Sequence, residues 1–438
     1  MNKKFTPLFA GLALLFCGLL HSPHAAAQQG VAPDTLRYTL AEAEKRFIDS
    51  NLQLLAAHYN MDAQKALIQQ AKLWNNPVLT TDQVIAANGL WLPYNKRLDD
   101  GTSMGQYAVQ LEQLIYTARK RGKQIDMAVT NSKVSEWQLQ NLLRNLRYQL
   151  HASYYTVARL LAGKAIYQNQ LAQLSKLADG MKAQLQLGNI AQKDYLRIQA
   201  LVITLQQDMT DLEKDMADAQ ADMRTLLQVK DGSFVKPAES NQLFSGVTPS
   251  LPDNVEALIN TAQQHNPYYQ LQQTQTLLQQ QNLAYQKALR VPDVTVQTNF
   301  DKNSNVAYNY WGVGISVPLP LFNRNQGNIK NAEYSIKQQQ AITQDAAMEL
   351  QNNIRNAWHK LNLAIQQNSG TQQQFYSSYM QMQQNMLNSY AQKQVSLPEF
   401  IDFFTDFTAV QQRLIQQQIN LAMAREDLNY AVGTDVVQ

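Results

Sequence analysis

Residues 195–226 read YLRIQALVITLQQDMTDLEKDMADAQADMRTL, and their spacing decides the fold. Tyr195, Ile198, Val202, Leu205, Met209, Leu212, Met216, Ala219, Met223 and Leu226 follow a 3,4,3,4 rhythm without a slip. A sustained heptad seam means coiled-coil packing of a long helix. Adding 205 to each position gives Phe400, Phe403, Phe407, Val410, Leu414, Gln417, Leu421, Ala424, Leu428 and Ala431, the same register with one glutamine. An earlier seam, with Tyr167, Leu171, Leu174, Ala178, Met181 and Leu185, belongs to an outgoing helix that spans about 70 residues, roughly 100 Å at 1.5 Å per residue. Gly163 and Gly180 are candidate bends in it. Leu187-Gly188-Asn189-Ile190 turns the chain back. In the second half Lys393 to Pro398 does so, with Pro398 suited to a first helical turn.

The chain repeats itself once. Leu40–Thr80 realigns on Val255–Thr295 with an offset of 215, and further on the offset becomes 205, with Gly122 on Gly327 and Ile190 on Val395. The change reflects a longer loop around Ala87 to Ser103, since exposed backbone tolerates insertion. The predicted organisation is a first repeat over 28–229, a linker over 230–254 carrying Gly232, Pro237, Ser245, Gly246 and Pro252, and a second repeat over 255–438.

Each repeat reads as a helix, two strands and two very long helices. The opening helix is predicted from about Thr39 to Leu73, stopped by Pro77, and its counterpart by Pro292. Val294, Val296, Thr298 and Phe300 alternate with Thr295, Gln297 and Asn299. Trp311, Val313, Ile315 and Val317 alternate with Gly312, Gly314 and Ser316, and Tyr107, Val109 and Leu111 with Ala108, Gln110 and Glu112. Period two gives strands with one apolar and one polar face. Such strands with aromatic ends (Trp74, Tyr116, Tyr308, Tyr310, Trp311) suit an outer-membrane barrel, although an amphipathic hairpin on a soluble core shares the pattern. Four strands cannot close a barrel, and an open edge cannot sit in lipid. Two copies would give eight strands, filled by their own side chains, whereas three or more leave room for a channel.

Composition agrees with long wet helices. Only 16% of the 438 residues are charged, and roughly one in seven is glutamine. Lys3 and Lys4, the apolar run Phe5–Leu20 and Ala25-Ala26-Ala27 read as a signal peptide over residues 1–27. Without it, 35 basic side chains face 34 acidic ones, a balance of +1 that argues against nucleic acid as the main partner. Phe16 before Cys17 disfavours a lipoprotein signal. With that segment removed no cysteine remains, which excludes disulfides and thiolate chemistry. No other stretch approaches the apolar length of a helical membrane span.

The chain resembles the TolC-type outer-membrane efflux proteins over essentially its whole mature length. The most specific run, Val317-Pro318-Leu319-Pro320-Leu321-Phe322-Asn323-Arg324-Asn325-Gln326-Gly327-Asn328-Ile329, is similar to the second-repeat signature of the cobalt–zinc–cadmium resistance branch, with Pro318, Pro320, Phe322, Arg324, Asn325 and Gly327 at the barrel–helix junction. Glu112–Ile115 with Arg119–Gly122, Leu187–Gln192 and Leu428–Gly433 resemble further family stretches. One departure is Lys393-Gln394, where the second tip usually carries glycine. The resemblance implies a mainly α protein with a small membrane β-barrel portion: a homotrimer with twelve strands in outer-membrane lipid and twelve long helices forming a periplasmic tunnel. It also implies a periplasmic adaptor, an inner-membrane pump of the resistance–nodulation–division (RND) type, and divalent metal cations as cargo.

Sites for chemistry are scarce. His58, His151, His265 and His359 lie far apart, and His58 with Asp62 reads as a helix surface rather than a metal site. No phosphate loop, HExxH or GxSxG occurs. Hence no catalytic residue, cofactor or resident metal is expected. Met181, Met209, Met216 and Met223 lie on seams, where methionine fills core. Asp208, Asp211, Asp215, Asp218 and Asp222 form an acidic stripe beside the seam. It can line a tunnel and favour cations, or it is a solvated face near Lys214 and Arg224. The tips, Leu187, Gly188, Asn189 and Ile190 with Gln394, Val395, Ser396 and Leu397, are candidate docking and gating positions. The expected function is a passive duct, with drug efflux, type I secretion, or a periplasmic coiled-coil scaffold as alternatives.

Overall fold

The computed structural model describes residues 34–87, 90–91, 99, 101, 105–238, 249–304, 306–368 and 370–437. The signal-peptide reading, Cys17, most of the Ala87–Ser103 loop and residues 239–248 of the linker, Ser245 and Gly246 included, lie outside the described residues.

The opening helix is not single. It is α1 (Leu40–Ser50) followed by α2 (Leu52–Lys72). Between them Asn51 is extended (φ −71°, ψ 119°), and its side chain accepts from the backbone N–H of Gln53 and Leu54 to cap α2. The same break separates α5 (Val255–His265) from α6 (Pro267–Ala288), where Asn266 caps and Pro267 opens the helix.

Between α2 and the first long helix lie β2 (Val78–Gln83), a short pair β3 (Ala86–Ala87) and β4 (Leu90–Trp91), and β5 (Tyr107–Ile115). After α6 come β7 (Val294–Lys302) and β8 (Asn309–Ser316). These form one antiparallel sheet in the order β2-β5-β7-β8. The edge strands are therefore β2 and β8. A separate parallel pair joins β1 (Thr35–Tyr38) to β6 (Phe234–Pro237), a strand inside the expected linker. Buried Gln220 extends it: its Nε2 donates to the Val235 carbonyl and its Oε1 accepts from the Val235 N–H, both at 2.8 Å.

The first outgoing helix, α3 (Lys120–Gln186), runs 67 residues without a break, about 100 Å. Neither candidate bend interrupts it. Gly163 instead permits close approach, since a Cβ there would sit 3.1 Å from Leu212 Cδ1. The return helix is α4 (Gln192–Leu227). The second outgoing path is divided into α7 (Gln326–Gln367) and α8 (Gly370–Ala391), and the chain closes with α9 (Leu397–Val432). α9 packs against both α3 and α7. Its buried face is accordingly wider than one seam and includes Phe404, Ile415 and Ile419.

Every seam residue from Tyr195 to Leu226 is buried or half-buried. Met181, Met216 and Met223 are core side chains. One apolar cluster joins α1, α3 and α4 around Phe47, Tyr154 and Met223, with Ile415 and Ile419 of α9. Another joins α5, α7 and α9 around Ile354, Leu361 and Leu428. A third ties the lower hairpins through Leu174, Ile198, Phe400 and Phe404.

Candidate functional site

The sheet separates two kinds of surface. Register places Leu79 opposite Leu111, Val296 opposite Ile315, and Phe300 opposite Trp311. Trp311, Val313 and Ile315 are 72%, 82% and 69% exposed in the single chain. On the reverse face Gln110 lies opposite Asn299, and Glu112 opposite Gln297. The Gln110 Nε2 donates to Gln297 Oε1 at 3.0 Å and also to Glu112. Gly312 and Gly314 leave room for these polar side chains: a Cβ on Gly312 would collide with Asn299, and one on Gly314 would meet Gln297 Nε2 at 2.7 Å. An apolar outer face with an amide-lined inner one is what a lipid-facing, water-lined sheet requires.

The junction below the sheet is built from irregular backbone. Pro318, Pro320 and Phe322 lie between β8 and α7, and the Phe322 side chain is 93% exposed. The Arg324 N–H donates to Gln326 Oε1 at 2.8 Å. Asn325 adopts a left-handed conformation (φ 58°) as the N-cap of α7. Its Nδ2 donates to the Gln286 carbonyl at 2.8 Å, tying α7 to the end of α6. Gly327 sits in the first turn with open space around it. In the first half Arg119, also left-handed (φ 56°), precedes α3.

The two tips share one turn. At the first, Gly188 has φ 76°, its N–H donates to Leu185 O at 2.9 Å, and Asn189 N–H donates to Gln184 O at 2.9 Å. At the second, Lys393 has φ 58°, its N–H donates to Tyr390 O at 3.0 Å, and Gln394 N–H donates to Ser389 O at 2.8 Å. Each position is displaced by 205. A lysine therefore takes the backbone conformation that glycine takes in the first tip. Leu187 is 71% exposed, while Ile190 packs into the lower apolar cluster. Ser396 and Glu399 form a reciprocal capping box at the start of α9, and Val395 and Gln394 complete the turn before it.

The acidic stripe lies on an accessible face of α4. Asp208 is half-buried and the other four are exposed. Burial, with Asp211 nearby, raises the Asp208 pKa. Lys214 pairs with Asp211 at 2.8 Å and holds it ionised. Asp215, Asp218 and Asp222 share a groove of about 340 Å³ with Arg159, Ser153 and Thr156 of α3.

One polar cluster escapes sequence reading. His151 of α3 is buried, with Nδ1 2.7 Å from Glu426 Oε2 and Nε2 hydrogen-bonded to Glu44. Arg147 donates to Glu44 and, through both terminal nitrogens, to Asp435. Arg425 donates to Glu426 and Tyr155. Burial opposes the imidazolium, but hydrogen bonds and charge from Glu426 and Glu44 outweigh it and push the His151 pKa up to about 9. No local spacing signals this cluster, because its members come from α1, α3, α9 and the C-terminal segment. His58, His265 and His359 are exposed. Among the described residues no group of three His, Cys, Asp or Glu side chains is placed to hold a metal ion, and no helix is long and apolar enough to cross a membrane.

Long helical hairpins below a two-faced antiparallel sheet give this chain a fold shared with solved outer-membrane channels. The likeness extends to solved structures: CusC, with 15% identity, a TM-score of 0.72, and coverage of 90% of this chain and 92% of that one, and the Campylobacter jejuni CmeC outer membrane channel, with 12% identity, a TM-score of 0.72, and coverage of 90% and 86%. In sequence the chain is similar to the cobalt-zinc-cadmium resistance protein CzcC of Cupriavidus metallidurans, 21% identical over 342 residues, 76% of each chain. No family model matches the chain. The resemblance read from Val317–Ile329 and the tips is borne out at the level of fold.

Proposed function

We propose that three copies of this chain form the outer-membrane duct of a tripartite efflux machine. The observation that carries this reading is the sheet: one face is apolar and exposed, the other is lined by amides, and both edges are free. Three such sheets supply twelve strands, enough to enclose a water-filled passage, whereas two would be filled by side chains. The helical hairpins continue the passage into the periplasm. Their tips meet a periplasmic adaptor, which joins an inner-membrane RND-type pump. The duct is passive and carries no catalytic chemistry.

The cargo in this reading is divalent heavy-metal cations. Support comes from the similarity to CzcC and from the acidic stripe on α4. Tight ligand clusters would oppose release from a conduit.

Two measurements test the proposal. Native protein separated on a membrane density gradient and weighed by light scattering in mild detergent is expected in the outer membrane at three times the chain mass. A soluble periplasmic monomer would remove the barrel. For the cargo, deletion is expected to raise sensitivity to cobalt, zinc or cadmium. Unchanged metal tolerance with new drug sensitivity would overturn the metal assignment.

A further inference from the structure

Within the chain, the turn from β5 into α3 is fastened to the approach to β7. The Lys120 side chain is only 3% exposed, and its Nζ lies 2.7 Å from Asp293 Oδ1 and donates to the Val291 carbonyl at 2.6 Å. The Thr117 N–H donates to Asp293 Oδ1 at 2.8 Å, and its hydroxyl donates to the Pro292 carbonyl at 2.7 Å.

Each side of this joint occurs a second time. Asn76-Pro77-Val78 realigns on Val291-Pro292-Asp293. The turn from β8 into α7 matches the turn from β5 into α3 through its left-handed caps, Asn325 and Arg119. Superposing those caps, one residue beyond the 205 offset that places Gly122 on Gly327, puts Asn323 in the place of Thr117 and Gln326 in the place of Lys120. These second sides stand apart, because Val78 begins edge strand β2 and Asn323 follows the opposite edge strand β8. Three strand spacings, about 14 Å, separate the two edges. One chain cannot join them.

The chemistry of the two sides has changed together. Where the internal joint has a buried lysine and an aspartate, the open sides have Gln326 and Val78. Neither a lone cation nor a lone anion is left to be buried unpaired, which would be costly. Gln326 Oε1 accepts from the Arg324 N–H and its Nε2 donates to the Phe322 carbonyl at 3.4 Å, which leaves the second amide N–H for a carbonyl of the neighbour. Asn323, whose Oδ1 accepts from the Asn325 N–H, keeps its amide N–H groups where Thr117 stands. Val78 is 56% exposed, and Gln326 lines an open groove of about 590 Å³ with Phe322, Arg324 and Lys330.

We propose that the Asn76–Val78 segment of a second copy docks on Asn323 and Gln326, forming an uncharged counterpart of the Lys120–Asp293 joint. This rests on the assembly reading above and assigns the contact at which neighbouring copies are fastened just below the sheet. The occupant is a second copy because the docking segment is this chain's own sequence, placed by its own internal joint.

The test uses full-length protein in membranes. Two double variants, Asn323→Cys with Val78→Cys and Gln326→Cys with Asn76→Cys, are oxidised or treated with a short bis-maleimide, and each is also weighed in detergent. The expected result is a trimeric mass with covalent dimers and trimers, absent from every single-cysteine variant. The sheet separation excludes a disulfide within one chain. A trimeric mass with no covalent oligomer from either pair overturns the docking contact and leaves the assembly standing. A monomeric mass for unaltered protein overturns both.

Discussion

Asn51 and Asn266, 215 positions apart, make matching sets of hydrogen bonds. Each Oδ1 accepts from two backbone N–H groups at the start of the next helix. Each Nδ2 donates to the last turn of a returning helix, Asn51 to the Leu226 carbonyl at 3.2 Å and Asn266 to the Ala431 carbonyl at 2.9 Å. Both side chains are buried. A single amide thus ends one helix, starts another and ties both to the end of the long coiled coil.

Replacing either asparagine with alanine removes a cap and orphans a buried carbonyl. Each change is expected to cost about 1–2 kcal/mol. Asn→Asp keeps the cap but loses the donor, so it should fall between wild type and alanine. Thermal unfolding in detergent checks the order. Equal melting of aspartate and asparagine forms at position 51 would mean that the Leu226 bond adds nothing.

His151 makes stability depend on pH. Its folded pKa, about 9, lies above its ordinary value of 6.5. The stabilisation is therefore fully present below about pH 6.5 and is lost as pH rises through about 9. Wild-type melting temperature should fall across that window, and His151→Gln should flatten the fall. A parallel fall in both proteins would assign the pH dependence elsewhere.

Lys393 holds a left-handed conformation that costs a side-chain-bearing residue about 1 kcal/mol. Lys393→Gly should relieve that cost and slow hydrogen exchange of the Lys393 and Gln394 amides. Gly188→Val should do the reverse at the first tip. Faster exchange in Lys393→Gly would show that the lost side chain outweighs the backbone relief.

The α4 stripe predicts ion selectivity. Neutralising Asp208, Asp211, Asp215, Asp218 and Asp222 to asparagine should reduce cation preference in planar bilayers, and high salt should mask the difference. Unchanged reversal potentials at low salt would leave the stripe a solvated face.

Much of this architecture is legible in the sequence because long elements carry periodic signals. The seam from Tyr195 to Leu226 and the alternation around Trp311 each average over many residues. The breaks at Asn51 and within the second outgoing helix carry no such averaging. An asparagine in a helical stretch is locally neutral, and only the distant Leu226 carbonyl makes its break worthwhile. Prolines flag the stop at Pro77, yet nothing flags β6, whose partner β1 lies about two hundred residues away. The His151 cluster is invisible for the same reason. The tip, conversely, is legible in its departure: Lys393 stands where a left-handed residue is needed, and the turn forms regardless.

The two free edges of the sheet carry a genetic consequence. In the proposed three-copy ring, a subunit damaged only along β8 would still offer an intact β2, so it would join the growing ring and leave it unclosed. Such an allele would act dominantly, spoiling wild-type subunits synthesised beside it. An allele that abolishes folding altogether would be recessive.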